Sequence, residues 1–180
     1  MNLKKERVIH VEGSFMFKEI GVFQFHEAQR NRFKDGSLWR RWASEYPNIF
    51  DEKDCAMAES QGPAGYHFYE WLAAVMLYQS FGFLSLIEKY EEPAHSRKYD
   101  IFTSMVPQVV LNAVFDYETF GQTQVPDLFV YAPDRSEWFL CEVKGKADHL
   151  KTVQKEYFEH LANISGREIG MIKFKEATII

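Results

Sequence analysis

The sequence predicts an α/β (α+β) fold in which a mixed four-stranded sheet is flanked by helices. The first observation is the order of hydrophobic periodicities from residue 66 onward, which reads helix, strand, strand, strand, helix, strand. The second is composition, because 46% of the 180 residues are hydrophobic and 16% are aromatic, which is enough for one folded core. The third is that the sequence has no internal repeat and no low-complexity tract, so a single domain is expected.

Residues 1–62 are expected to form an N-terminal extension of unknown role that packs on a core of residues 63–180. Residues 7–25 mix β-branched and aromatic residues with glycines, which favours one or two short strands. Helical periodicity and stop signals such as Asp35-Gly36 then predict three short helices, over 26–34, 38–46 and 51–60.

The core begins with an amphipathic helix over 66–79, and an alternating strand over 83–90 follows it. Residues 91–124, with a helix over 107–117, are expected to be an insertion between the first and second core strands. The remaining predicted elements are a hairpin over 126–145, a helix over 148–163 with Asp148 as its N-cap, and a last strand over 169–174.

The hairpin carries the residues with the most chemical information. Asp127 opens its first strand, and Glu142 and Lys144 lie two apart on its second strand, so the Glu142 and Lys144 side chains project from the same face. Asp127 and Lys144 are expected to lie at an exposed strand end. If Tyr131 faces Glu137, Asp127 comes opposite Cys141; a slip of one residue places it directly opposite Glu142. In either register the two carboxylates converge beside a lysine, an arrangement that suits a hard cation and metal-assisted phosphodiester hydrolysis.

Residues from Val125 to about Phe174 resemble the PD-(D/E)xK nucleases, and within them the VRR-NUC group. The resemblance is carried by Pro126-Asp127, by Glu142-Val143-Lys144-Gly145, and by Asp148, Leu150 and Gln154 after them. It implies a restriction-endonuclease-like core that binds Mg²⁺ or Mn²⁺.

The same resemblance implies a role for each matching residue. Asp127 and Glu142 would hold the cation with the Val143 carbonyl as a third ligand, Lys144 would position or activate the attacking water, and Gln154 would support it from the helix. Related nucleases often place a glutamate on the helix before the sheet, so Glu70 would touch the metal directly or through water. The alternative for Glu70 is an ordinary solvent-facing helix residue.

Together these features predict a divalent-metal-dependent endonuclease or exonuclease that hydrolyses DNA. Small relatives in the resembling family act on branched DNA as homodimers, which makes junction or flap DNA and a homodimer expectations here. An RNA substrate is one alternative. The other is a catalytically weak or inactive module of the same fold that binds nucleic acid or a partner protein.

Composition sets further bounds on partners and location. The net charge of −5 argues mildly against a generic nucleic-acid binder, although residues 1–41 carry nine Lys and Arg against five acids. This basic segment either contacts phosphates or is a solvated face. Its Phe33, Trp39 and Trp42 either join the nearby arginines in a nucleic-acid face or pack in the core. With no signal peptide, no apolar membrane span and only two cysteines, a reduced cytoplasmic protein is expected.

Overall fold

The computed structural model describes residues 17–121 and 124–177, which form a five-stranded mixed sheet with helices on both faces. The strands are β1 (Phe17–Phe25), β2 (Leu84–Ile87), β3 (Leu128–Tyr131), β4 (Trp138–Lys144) and β5 (Ile169–Glu176). Their spatial order is β1-β5-β4-β3-β2. β5 is parallel to β1 and to β4, whereas β3 is antiparallel to β4 and to β2. The predicted α/β class and the β3–β4 hairpin are therefore confirmed.

The sheet has five strands and not the predicted four, because β1 from the N-terminal region joins it at one edge. Phe17 of β1 lies opposite Ile169 of β5 in a parallel pairing. Strands so distant in sequence leave no local turn signal for their pairing, so periodicity alone could not show it. Residues 7–16 of the predicted strand region lie outside the described residues.

The helices follow the sequence prediction more closely in the N-terminal region than in the insertion. They are α1 (Glu27–Lys34), α2 (Ser37–Glu45), α3 (Glu52–Gln61), α4 (Phe68–Phe81), α5 (Ser96–Met105), α6 (Gln108–Val114), α7 (Tyr117–Phe120) and α8 (Thr152–Ser165). α5 was not predicted, because its inward face places Lys98 beside Phe102 and so breaks the apolar stripe. The predicted helix over 107–117 is divided into α6 and α7. No helix in the described ranges is long and apolar enough to cross a membrane.

One face of the sheet is covered by α1 to α4, whose aromatic side chains form a continuous buried cluster. Phe33, Trp39 and Trp42 are all buried. Phe50 stacks on Trp71 of α4 with ring centroids 3.8 Å apart. These rings cannot stack on nucleic-acid bases from inside the core, so the core-packing alternative describes this region.

The opposite face of the sheet is covered by α5, α6 and α8. Phe102 of α5 packs edge-to-face on Phe129 of β3, and Phe158 of α8 is fully buried in the same cluster. Because both faces of the central strands are covered, a polar side chain on either face of β4 lies in the interior. Glu142 accordingly has only 2% of its surface exposed.

We predict that Phe25→Ala lowers the free energy of unfolding by about 3–5 kcal/mol, the usual cost of emptying a phenylalanine site in a core. Phe25 is 1% exposed and its ring contacts those of Phe68 and Tyr69. Val22→Ala on the same strand is the control, because Val22 is 39% exposed and should cost no more than about 0.5 kcal/mol. Urea unfolding measures both changes, and equal small losses would contradict the packing of β1 described above.

Candidate metal centre

The register of the β3–β4 hairpin decides which carboxylates meet. Leu128 pairs with Cys141, so the next residues toward the open end are Asp127 and Glu142, directly opposite each other. This is the second of the two registers that the sequence left open. The Asp127 N–H donates to Glu142 Oε2 at 3.3 Å, and the Val143 N–H donates to Asp127 Oδ2 at 2.8 Å. Backbone groups of the hairpin therefore orient both carboxylates.

Lys144 forms an ion pair with Glu142 from two residues further along β4. Its Nζ lies 2.6 Å from Glu142 Oε1, and the Lys144 side chain is only 13% exposed. The expectation that Asp127 and Lys144 lie at an exposed strand end is wrong, because both are only partly exposed beneath the helices that cover the sheet. Since Glu142 already accepts from both Lys144 and the Asp127 N–H, its role as a metal ligand stays a prediction.

Glu88 is a carboxylate that the sequence analysis missed. Ile87 of β2 pairs with Leu128 of β3, and the N–H of the following Glu88 donates to the Asp127 carbonyl at 2.8 Å. Glu88 therefore lies beside Asp127 on the side opposite Glu142. The sequence signal was an acid at the end of an apolar strand. Only the pairing of β2 with β3 shows that this acid lies next to Asp127.

Glu70, in the first turn of α4, completes a group of three carboxylates. Oxygen atoms of Glu70, Glu88 and Asp127 lie within 4.8 Å of one another. Glu70 is only partly exposed, and its carboxylate faces the other two acids. This position supports the predicted role of Glu70 in the site, which stays a prediction.

These three carboxylates fit a hard divalent cation. Mg²⁺ and Ca²⁺ prefer oxygen ligands at roughly 2.0–2.6 Å, so ligands on opposite sides of one ion are roughly 4–5 Å apart. Oxygens of Glu70, Glu88 and Asp127 lie within 4.8 Å of one another, which is close enough for all three to reach one ion. Side chains from α4, β3 and the end of β2 could thus share one cation.

Burial and mutual repulsion raise the pKa values of these acids. Burial, followed by the negative charge of Glu88, raises the pKa of Glu70 from 4.5 to about 7. For Asp127, burial and the charge of Glu142 raise the pKa well above its ordinary value. The shift at Glu70 corresponds to roughly 3 kcal/mol in favour of its protonated form. Without a cation, the group therefore holds protons that a metal would displace.

His67 supports Glu88 from the residue before α4. Its Nδ1 lies 3.0 Å from Glu88 Oε2, and its Nε2 lies 2.7 Å from the Gln61 side-chain oxygen. Burial lowers the pKa of His67, but the contact with Glu88 outweighs burial and the net pKa is raised. His67 also adopts a left-handed backbone conformation with φ of 67°, which a non-glycine residue adopts at a cost. His67 therefore lies against the Glu88 carboxylate, where a protonated ring would form an ion pair with it.

Gly145 follows Lys144 where the chain passes the Tyr69 ring. A Cβ atom at residue 145 would lie 2.5 Å from Tyr69 Cε2, so a side chain there would displace the ring. The glycine of Glu142-Val143-Lys144-Gly145 thus permits close packing of this strand end on α4, the helix that carries Glu70.

Gln154 does not join the other predicted site residues by any hydrogen bond in the described part of the chain. Its side-chain oxygen instead accepts from the Lys151 N–H at 3.1 Å, at the start of α8. Lys151 is the N-cap of this helix, so the prediction that Asp148 caps it is wrong. The support from Gln154 and the Val143 carbonyl ligand remain predictions.

Comparisons with known proteins give little beyond the fold. No family model matches the sequence, and no curated protein matches it. Among solved structures, the chain is similar to the crystal structure of paFAN1 bound to 2nt 5'flap DNA with gap, at 16% sequence identity and a TM-score of 0.42. The similarity covers 71% of this chain and 24% of that chain, so this chain spans about a quarter of the other's length. The function must therefore be argued from the residues themselves.

We predict that Mn²⁺ raises the melting temperature more at about pH 8 than at about pH 5.5. A carboxyl group whose folded pKa is raised to about 7 holds a proton that the unfolded chain has released, so the cation-free protein loses stability as pH rises from 4.5 to about 7. The cation must displace this proton at low pH but not at high pH.

The same thermal denaturation of Glu70→Gln should show a smaller Mn²⁺ effect and a weaker dependence on pH. Glu156→Gln is the matched control, because Glu156 is an exposed residue on α8 and should behave like the wild type. A wild-type Mn²⁺ effect that is equal at both pH values would contradict the assignment of Glu70 to the metal centre.

Proposed function

We propose that this protein is a nuclease that hydrolyses phosphodiester bonds with Mg²⁺ or Mn²⁺ as its cofactor and DNA as its substrate. The observation that carries the proposal is the meeting of Asp127, Glu70 and Glu88 beside a lysine that is paired with Glu142. Carboxylates for a cation and an adjacent ammonium group are what metal-assisted attack on a phosphodiester requires.

Asp127, Glu70 and Glu88 would hold the cation. When bound, a divalent cation supplies a nucleophile by lowering the pKa of a coordinated water, and it screens the charge that develops on the phosphate. The Val143 N–H keeps the Asp127 carboxylate oriented, and His67 does the same for Glu88. These fixed contacts reduce the reorganisation that the site needs before reaction.

Lys144 would contribute a positive charge beside the attacking water and a non-bridging phosphate oxygen. Burial opposes its protonation, but the Glu142 carboxylate outweighs burial, and the pKa of Lys144 is raised above its ordinary value. An ammonium group held in this way donates hydrogen bonds and does not accept a proton. We therefore assign Lys144 to positioning and charge stabilisation.

The choice of DNA, and of branched or junction DNA in particular, is supported by the resemblance of residues 125–174 to the VRR-NUC group. A homodimer is proposed on the same basis, because a twofold axis would present two sites to a symmetric junction. The experiment is a cleavage panel of single-stranded, duplex, flapped and four-way DNA together with RNA, each with Mg²⁺ and with Mn²⁺. Wild-type protein that binds nucleic acid or a partner protein without cutting would establish the inactive binding module instead.

We predict that Asp127→Asn and Lys144→Ala each reduce the cleavage rate by about a hundredfold or more, the typical effect of removing a metal-site or charge-stabilising group. In the first variant the asparagine side chain would still offer an oxygen to the Val143 N–H, so the hairpin should be preserved. Lys155→Ala, at an exposed position on α8, is the control and should cut at the wild-type rate. Cleavage that survives both site changes would move the chemistry elsewhere in the protein.

We further predict that Ca²⁺ supports substrate binding without efficient cutting. Ca²⁺ accepts more ligands at longer distances than Mg²⁺ and imposes a looser geometry, so a water it binds is poorly aligned for attack. Binding in Ca²⁺ can be measured by fluorescence anisotropy on labelled DNA, and turnover can be measured on the same substrate after Mg²⁺ is added. Equal turnover in the two ions would argue against a site of the Mg²⁺ type.

A further inference from the structure

Lys98 is a fully buried lysine in α5 whose ammonium group lies between two backbone carbonyls and one carboxylate. Its Nζ donates to the carbonyl oxygens of Ile87 and Glu88 at 2.5 and 3.2 Å, and it lies 2.5 Å from Asp54 Oδ1. Both Lys98 and Asp54 have 0% exposure. The ammonium group therefore makes two hydrogen bonds to backbone carbonyls and an ion pair with the Asp54 carboxylate.

Stability alone does not explain this buried pair. Removing two charges from water costs several kcal/mol for each ion, and apolar residues of similar volume often stabilise a core equally well. Apolar residues could not donate directional hydrogen bonds to backbone carbonyls. The pair fixes two specific backbone carbonyls, those of Ile87 and Glu88, relative to α3 and α5.

The backbone that Lys98 holds is locally unfavourable. Glu88 and Lys89 have φ of 43° and 52°, and left-handed conformations of non-glycine residues cost on the order of 1–3 kcal/mol each. They persist when surrounding contacts hold them. Beyond the turn, the buried Tyr90 hydroxyl donates to the Pro126 carbonyl at 2.7 Å. Contacts on both sides thus hold the turn that directs Glu88 toward Glu70 and Asp127.

The two segments that carry Asp54 and Lys98 are themselves fixed to each other. Asp54 accepts from the Asp51 N–H at 3.1 Å within the cap of α3. Arg97, the neighbour of Lys98, lies 3.3 Å from Asp51 Oδ2 and donates to the Asn48 carbonyl at 2.7 Å. The N-terminal helices and the insertion therefore meet where the chain turns at Glu88.

We propose that the Asp54–Lys98 pair is a positioning element of the metal centre, which holds residues 87–89 so that the Glu88 carboxylate is presented to the cation. The proposal rests on the metal centre under the proposed function. It gives a role to two segments outside the nuclease-like motif, residues 1–62 and 91–124. Asp54 and Lys98 do not belong to the Glu70, Glu88 and Asp127 group. They would act on the cation only through the position of Glu88, whose carbonyl Lys98 contacts.

The test is the Mn²⁺ affinity of the full chain, measured by the electron paramagnetic resonance signal of free Mn²⁺. Lys98→Met removes the donors but leaves the Asp54 carboxyl buried without its partner. The Asp54→Asn, Lys98→Met double variant removes both charges and keeps an acceptor for the Asp51 N–H, so it should fold. We expect the double variant to bind Mn²⁺ at least about tenfold more weakly than the wild type, which is the typical effect of losing a group that orients a metal ligand.

Arg97→Met is the matched control, because Arg97 joins the same two segments but its hydrogen bonds go to Asn48, Ile49 and Asp51 instead of residues 87–89. Its Mn²⁺ affinity should stay within about twofold of wild type if positioning of Glu88 is the cause. Equal losses in Arg97→Met and in the double variant would assign the effect to general docking of α5 and overturn the proposal.

A second comparison asks whether the pair acts through Glu88. In a Glu88→Gln background, the Asp54→Asn, Lys98→Met changes should weaken Mn²⁺ binding by less than about twofold further, because residues that act through one another are not additive. A fully additive loss, or wild-type affinity in the folded double variant, would overturn the positioning role alone. A wild-type protein that binds no Mn²⁺ would overturn the proposed metal centre as well.

Discussion

The candidate site depends on the register of β3 against its two neighbours. β3 is antiparallel to both β2 and β4, and these two registers place Asp127 between Glu88 and Glu142. A slip of one residue in either pairing would turn a carboxylate to the opposite face of the sheet. The sheet and the site are therefore specified together. Both registers are stabilised by apolar side chains that fill the cores on the two faces of β3.

Grouping carboxylates in the interior is unfavourable unless each has a partner, and the chain supplies partners of different kinds. Lys144 neutralises Glu142, His67 approaches Glu88, and the Val143 N–H binds Asp127. Burial, and then the negative charge of Glu88, raise the pKa of Glu70, so part of the negative charge of this group is left without a positive partner. A proton can balance this charge at low pH, and in the proposed metal centre a divalent cation would balance it instead.

The segments outside the nuclease-like motif contribute to the same site. β1 and α1 to α3 extend the sheet and cover one face, and α5 covers part of the other. Their contact at Asp54 and Lys98 lies against the turn that carries Glu88. Residues distant in sequence from the hairpin thus contact the turn that places Glu88 beside Asp127. Under the proposed function, a cation held by these carboxylates would let an acidic protein bind an anionic substrate.

The sequence by itself determined the α/β class, the β3–β4 hairpin and the placement of Asp127, Glu142 and Lys144 at one strand end, because turn chemistry and two-residue alternation act over short distances. Only the tertiary structure decided that β1 is a fifth strand, that Glu88 belongs with Glu70 and Asp127, and that the Glu142–Lys144 face is buried. Those features depend on pairing and packing between segments far apart in the chain, for which local periodicity carries no signal.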